Sequence, residues 1–222
     1  AASQVALESA DTHRALSILG RIRTILKICV AQIDILETMT PLQFNSFRSR
    51  LGESSGFQSA QFREVEAILG RRDKRAAAHL LPKDRDRVER WMASSSLWDS
   101  VLRYVNKRGY QIPTVLRYVN KRGYQIPNSI LNRDVTKSYE PNPDVQDVLI
   151  ELHRKDLEAG LVFERLVDID EGLQEWRYRH VKMVERTIGR KSGTGGSAGA
   201  DYLRQTLFTP IFPDLWEIRN RF

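Results

Sequence analysis

The chain has 222 residues, 41% of them hydrophobic, which is enough for one good-sized core and too apolar for a disordered protein. No apolar run approaches the roughly 20 residues that cross a bilayer, and the opening AASQVALESADTH lacks a basic start and an apolar signal-type centre, so a soluble, cytoplasmic protein is expected. The net charge of +7 raises nucleic acid as a partner, but basic residues sit beside acids, as in Lys83-Asp84-Arg85-Asp86-Arg87, which is the pattern of solvated helix faces; neither nucleic acid nor membrane is expected.

From Ala15 to Leu36, apolar residues at Leu16, Leu19, Ile22, Leu26, Val30 and Ile33 fall three or four apart and lay one stripe along a helix, which Asp11 or Ser9 caps. Thr40-Pro41-Leu42-Gln43 offers a capping hydroxyl, proline at the first helical position and glutamine at the third, so a second helix starts there and stops at Gly52. Ser59 and Gly70 bracket a third, and shorter helices follow near Asp84 to Met92 and from Ser96 onward. Val101 to Pro113 reads VLRYVNKRGYQIP, and Val115 to Pro127 repeats it residue for residue. Two identical copies are not a solenoid period, so one copy is expected to continue the helix, turning at Gly109 or Gly123, with the other looped out.

After the proline-punctuated Tyr139 to Pro143, the helical pattern resumes at Asp144 and runs to about Gly189, with a break near Gly160. A glycine-rich stretch, Gly193 to Gly199, precedes a short helix over Ala200 to Leu207, and Pro210 and Pro213 break the tail. No sustained period-two alternation occurs anywhere, so the fold is expected to be all-α.

Three constellations carry possible chemistry. Cys29 is the only cysteine, which excludes an intrachain disulfide and a cysteine-rich metal site and leaves His13, His79, His153 and His180. His180 lies in the apolar stripe of Leu173, Trp176, Met183, Val184 and Thr187; such an imidazole is either a hydrogen-bonded core histidine or an axial haem ligand, which needs a neutral nitrogen and apolar walls. Gly193-Thr194-Gly195-Gly196-Ser197 lets backbone approach a ligand or forms a plain interhelical loop; with Lys191-Ser192 ahead of the glycines and no strand leading in, it is not a phosphate-binding P-loop. Phe44 and Arg48 share a helix face, an aromatic wall beside a guanidinium that can grip a carboxylate or simply stand in solvent.

Leu36 to Arg63 (LETMTPLQFNSFRSRLGESSGFQSAQFR), Asp168 to Arg204 (DIDEGLQEWRYRHVKMVERTIGRKSGTGGSAGADYLR) and the closing FPDLWEIR together closely resemble tryptophan 2,3-dioxygenases, over about Arg14 to Trp98 and Ser129 to Phe222. The resemblance implies one all-α domain over residues 1–222, a multi-helix haem-binding bundle of the indoleamine/tryptophan dioxygenase type. It implies haem b as cofactor and insertion of both atoms of O2 across the indole C2–C3 bond of L-tryptophan, giving N-formylkynurenine, in a homotetramer that shares pocket residues between subunits. On the matching motifs it puts the axial haem ligand at His180, with Trp176 beside it, the grip on the substrate carboxylate at Arg48 and an aromatic wall at Phe44. Ser55 and Gly56 would lie near haem and indole, and Thr194 would close over the substrate's amino-acid end. The family's distal-side histidine, in an HQTYELWFK-like segment, has no match: His13 has no aromatic neighbours, so no residue takes that role, and the chain is expected to lack that N-terminal segment. A haem enzyme acting on another indole or aromatic amino acid, and a non-catalytic haem-binding fragment, are the competing readings.

Overall fold

The computed structural model describes residues 1–52, 59–78, 80–110, 125–189, 191, 204 and 207–222, and every regular element among them is helical. Helix α1 (Ala2–Glu8) is followed by α2 (Thr12–Glu37), with the Asp11 side chain accepting from the Arg14 N–H at 3.1 Å as the expected cap. The capping box at Thr40 forms in full: the Gln43 N–H donates to the Thr40 hydroxyl at 3.3 Å and Gln43 Oε1 accepts from the Thr40 N–H at 2.9 Å, starting α3 (Pro41–Arg48). Helix α4 (Ala60–Leu69) ends at Gly70, whose φ of 112° belongs to the left-handed region that glycine takes without strain. Helices α5 (Pro82–Met92) and α6 (Leu97–Tyr110) follow, then the short α7 (Asn128–Leu131), α8 (Pro143–Lys155), the 32-residue α9 (Leu157–Ile188) and the five-residue α10 (Pro213–Glu217). Among the described residues, no helix is long and apolar enough to cross a membrane.

The N-terminal residues, for which the sequence reading gives no element, form α1, which contributes Ala6 and Leu7 to the core. Three local expectations need correction. Ser59 precedes α4 without a side-chain capping bond. The long helical tract breaks at Asp156, not Gly160: Asp156 leaves helical geometry at φ −129°, and its carboxylate caps α9 by accepting from the Ala159 N–H at 3.1 Å. Gly109 does not turn the chain, because α6 continues to Tyr110. The other expected turn, at Gly123, and most of the helix over residues 200–207 lie outside the described residues.

The main core joins α1, α2, α6, α8, α9 and α10, and the most extensive packing runs between α9 and α2. Gly172 permits that closeness, since a Cβ there would lie 2.9 Å from Leu26 Cδ2. Trp98, 1% exposed, packs between Tyr139 and Phe212 with ring centroids 5.7 and 5.6 Å away. A smaller cluster of Ala67, Ala77, Leu80, Val88 and Met92 holds α4 to α5. From the second repeat copy, Ile126 is buried and its N–H donates to Asn106 Oδ1 at 3.2 Å, so α6 uses residues of the first copy and the core uses the end of the second.

Buried carboxylates tie the irregular segments to this frame. Asp170 Oδ2 accepts from the Ile211 and Phe212 N–H groups at 2.8 and 3.0 Å and from the Trp216 indole at 3.0 Å. Asp214 accepts from Tyr139, from the Asn142 N–H at 3.0 Å and from Gln146 at 2.8 Å; burial nonetheless pushes its carboxyl above the usual range. At the start of α6, Asp99 accepts the Ser96 N–H at 2.7 Å and the Arg133 guanidinium at 2.7 and 3.1 Å. Burial alone would raise the Asp99 carboxyl, but the bonds from Arg133 and Ser96 more than reverse this and hold it below the ordinary range.

Two expectations follow. Deleting residues 114–127 leaves one copy of the repeat, with Ile112 free to take the site of Ile126 and Gly109 free to turn. Thermal unfolding of the deletion variant is expected to lie within about 1 kcal/mol of the parent, because loop length costs little; failure to fold would show that both copies are needed. Asp99, its pKa depressed on folding, contributes stability that is full above the ordinary carboxylate range and lost as pH falls through it. Urea unfolding between pH 6 and 3 should therefore show the parent converging on Asp99→Asn as pH falls, and parallel curves would contradict the linkage.

Candidate functional site

Helix α9 presents two different sides in its C-terminal half. Asp170, Leu173, Arg177 and Val181 are buried, as the three-to-four spacing of a core-facing stripe requires. The neighbouring stripe, Trp176, His180, Met183, Val184 and Thr187, is only half-buried, leaving an accessible apolar strip on a rigid helix. The rim of this strip is pinned to α2, where Arg179, next to His180, pairs with Asp34 and donates to Glu37 at 3.1 Å.

His180 stacks on Trp176 with centroids 5.0 Å apart and planes inclined by 25°, and Trp176 in turn packs on Phe62 of α4 at 5.1 Å. Among the described residues, neither His180 ring nitrogen has a hydrogen-bond partner. Burial pushes the imidazole pKa down, which keeps the ring neutral with a lone pair to offer. A neutral imidazole with no partner among the described residues, backed by an indole on an apolar strip, is a residue that could hold a haem iron. Among the described residues, no three His, Cys, Asp or Glu side chains converge as a separate metal cluster.

Helix α3 packs against α9 and carries Phe44 and Arg48, both half-buried, while Leu42, Asn45 and Ser46 face outward. Phe44 and Phe47 meet edge to face at 5.4 Å, making an aromatic patch beside Arg48. Elements α3, α4 and α9 thus bring together the helices that bear Arg48, Phe62, Trp176 and His180. Ser55, Gly56 and Thr194 lie outside the described residues.

The sequence reading does not anticipate Phe62 or the buried ion cluster behind it. Glu66 accepts from Arg63 at 2.6 Å and from Arg71 at 3.2 Å, and Arg177 approaches it at 3.7 Å. The signal was available: Asp170 and Arg177 fall on the register of Leu166, Leu173 and Val181, and a charged residue on a core-facing stripe needs a buried partner.

A profile of the tryptophan 2,3-dioxygenase family matches residues 3–81 and 154–222. A tryptophan 2,3-dioxygenase of Anaeromyxobacter dehalogenans (strain 2CP-C) is 54% identical over 219 residues, covering 98% of this chain and 77% of the relative. One of Herpetosiphon aurantiacus is 50% identical over 215 residues, covering 96% of this chain and 76% of the relative. The two matched stretches contain α3 with Arg48, Phe62, and α9 with Trp176 and His180, and with identity of this extent the chain belongs to the tryptophan 2,3-dioxygenase family.

Proposed function

We propose that this chain is a haem-dependent dioxygenase that inserts both atoms of O2 across the indole C2–C3 bond of L-tryptophan to give N-formylkynurenine. The observation that carries the reading is the half-buried His180, stacked on Trp176 and without a hydrogen-bond partner among the described residues, on a helix inside the stretch shared with the family. Haem b, when bound, supplies the redox chemistry that makes O2 reactive toward the indole.

The chain's own residues bind and orient. His180 would hold the iron through a neutral nitrogen, and the Trp176 indole stacked on it would limit how its ring rotates. Arg48 grips the substrate carboxylate through two parallel N–H bonds, and Phe44, one turn earlier on α3, lies against the apolar part of the substrate. By resemblance, Ser55 and Gly56 border haem and indole, and Thr194 closes over the substrate's ammonium and carboxylate end. Fixing that end against Arg48 places the indole for reaction, a proximity effect. Action in the cytoplasm as a homotetramer belongs to the same reading, supported by the family.

Two measurements test it. The ferrous absorption spectrum of the haem-loaded protein, with and without L-tryptophan, should lose its histidine-ligated form in His180→Ala; a variant with the parent spectrum would remove His180 from the iron. In Arg48→Ala, kcat/KM for L-tryptophan should fall by about 2–4 kcal/mol of transition-state stabilisation, with little recovery in Arg48→Lys because a lysine cannot form the two parallel bonds. An unchanged kcat/KM would remove Arg48 from the substrate site.

A further inference from the structure

A cavity of about 490 Å³ opens behind Phe62, between α4, the turn at Arg71 and the Thr209-Pro210-Ile211 segment, with Leu173 and Arg177 of α9 in its wall. Four arginines line it (Arg71, Arg72, Arg75 and Arg177) against two carboxylates, Glu66 and Asp73. Two of the four are spoken for. Arg72 donates to the Val135 and Ser94 carbonyls, both at 2.8 Å, and Arg75, almost wholly exposed, pairs with Asp73 at 3.3 Å.

Arg71 and Arg177 share what remains. Glu66 Oε1 stands 3.2 Å from Arg71 and 3.7 Å from Arg177, while its Oε2 is held by Arg63 at 2.6 Å. Among the described residues, the hydrogen bond that Arg177 makes is to the Thr209 carbonyl at 3.4 Å, the long limit of such a bond. Its side chain is only 9% exposed, and a buried guanidinium ordinarily takes a carboxylate through two short bonds. The buried acid on the same stripe of α9, Asp170, acts on Arg177 through its charge but accepts its hydrogen bonds from Ile211, Phe212, Trp216 and Gln174. Glu66 thus stands within reach of three guanidinium groups, two of which face a space with apolar walls.

We propose that this cavity is a second ligand site, for a small aromatic carboxylate whose charged end bridges Arg71 and Arg177 and whose ring lies among Phe62, Leu173 and Pro210. The two arginines supply a fork of N–H donors, and the apolar wall selects an organic body over a bare inorganic anion. The inference does not depend on turnover or on iron ligation by His180.

The test is titration calorimetry of the haem-loaded full chain with benzoate, benzamide and inorganic phosphate. Benzoate should bind saturably, one per chain, benzamide should not bind, and phosphate should bind more weakly than benzoate. Arg71→Gln, which leaves Glu66 paired with Arg63, should weaken benzoate at least tenfold, as should Arg177→Gln; if the latter does not fold, Arg71→Gln carries the test alone. Arg48→Ala should leave benzoate affinity unchanged, separating this cavity from the proposed substrate site. The site is overturned by benzoate affinity indifferent to Arg71→Gln or abolished by Arg48→Ala, by benzamide or phosphate binding as tightly as benzoate, or by no saturable benzoate binding. Binding to haem-free protein alone also overturns it, because the cavity would then receive the cofactor's own carboxylates.

Discussion

Asp170 sets the constraint on which the rest of the molecule depends. It sits on the core-facing stripe of α9 with no exposure, and its carboxylate is tolerable there only because two consecutive backbone N–H groups, an indole and an amide all donate to it. The two backbone N–H groups and the indole come from the C-terminal segment, so satisfying one buried charge fixes Ile211, Phe212 and Trp216 against α9. Phe212 then packs on Trp98 at the start of α6, and Asp214, two residues on, ties the same segment to Tyr139 and α8. A single helix thereby organises the main core, and the same helix carries Trp176 and His180 about two and three turns farther along.

That arrangement explains why the candidate iron ligand is rigid and accessible at once. The buried stripe of α9 is held by α2 and the C-terminal segment, while the adjacent stripe stays half-open and is steadied at its edge by Arg179. Phe62 links the half-open stripe to α4, whose inner side carries Glu66 and Arg63. The +7 net charge that first suggests nucleic acid is here partly an internal matter, with arginines gathered at buried carboxylates such as Glu66 and Asp99.

Much of this was legible in the sequence because the physics is local. The stripe of α2, the capping box at Thr40 and the left-handed glycine at position 70 each depend on residues a turn or two apart, and each appears as expected. The break at Asp156 was misplaced to Gly160 because glycine is the more visible helix breaker, whereas Asp156 acts by capping the next helix and by binding Arg108 at 2.6 and 2.7 Å across 48 residues. The Glu66 cluster was missed for the same reason: its members lie on α4, on the following turn and on α9, and no sequence spacing reveals that meeting. Arg48 and His180 are singled out by motif, yet it takes the packing of α3 on α9 and the contacts of Phe62 with Trp176 and Glu66 with Arg177 to join α3 and α4 to the helix that bears His180.

The central claim is that His180 alone of the four histidines holds the iron. Resonance Raman spectroscopy of the ferrous, haem-loaded protein in which His13, His79 and His153 are all replaced by alanine tests it most directly. The account predicts an iron–imidazole stretching mode at the parent frequency that shifts when the remaining histidine carries nitrogen-15. A well-folded, haem-loaded triple variant without that mode would contradict it.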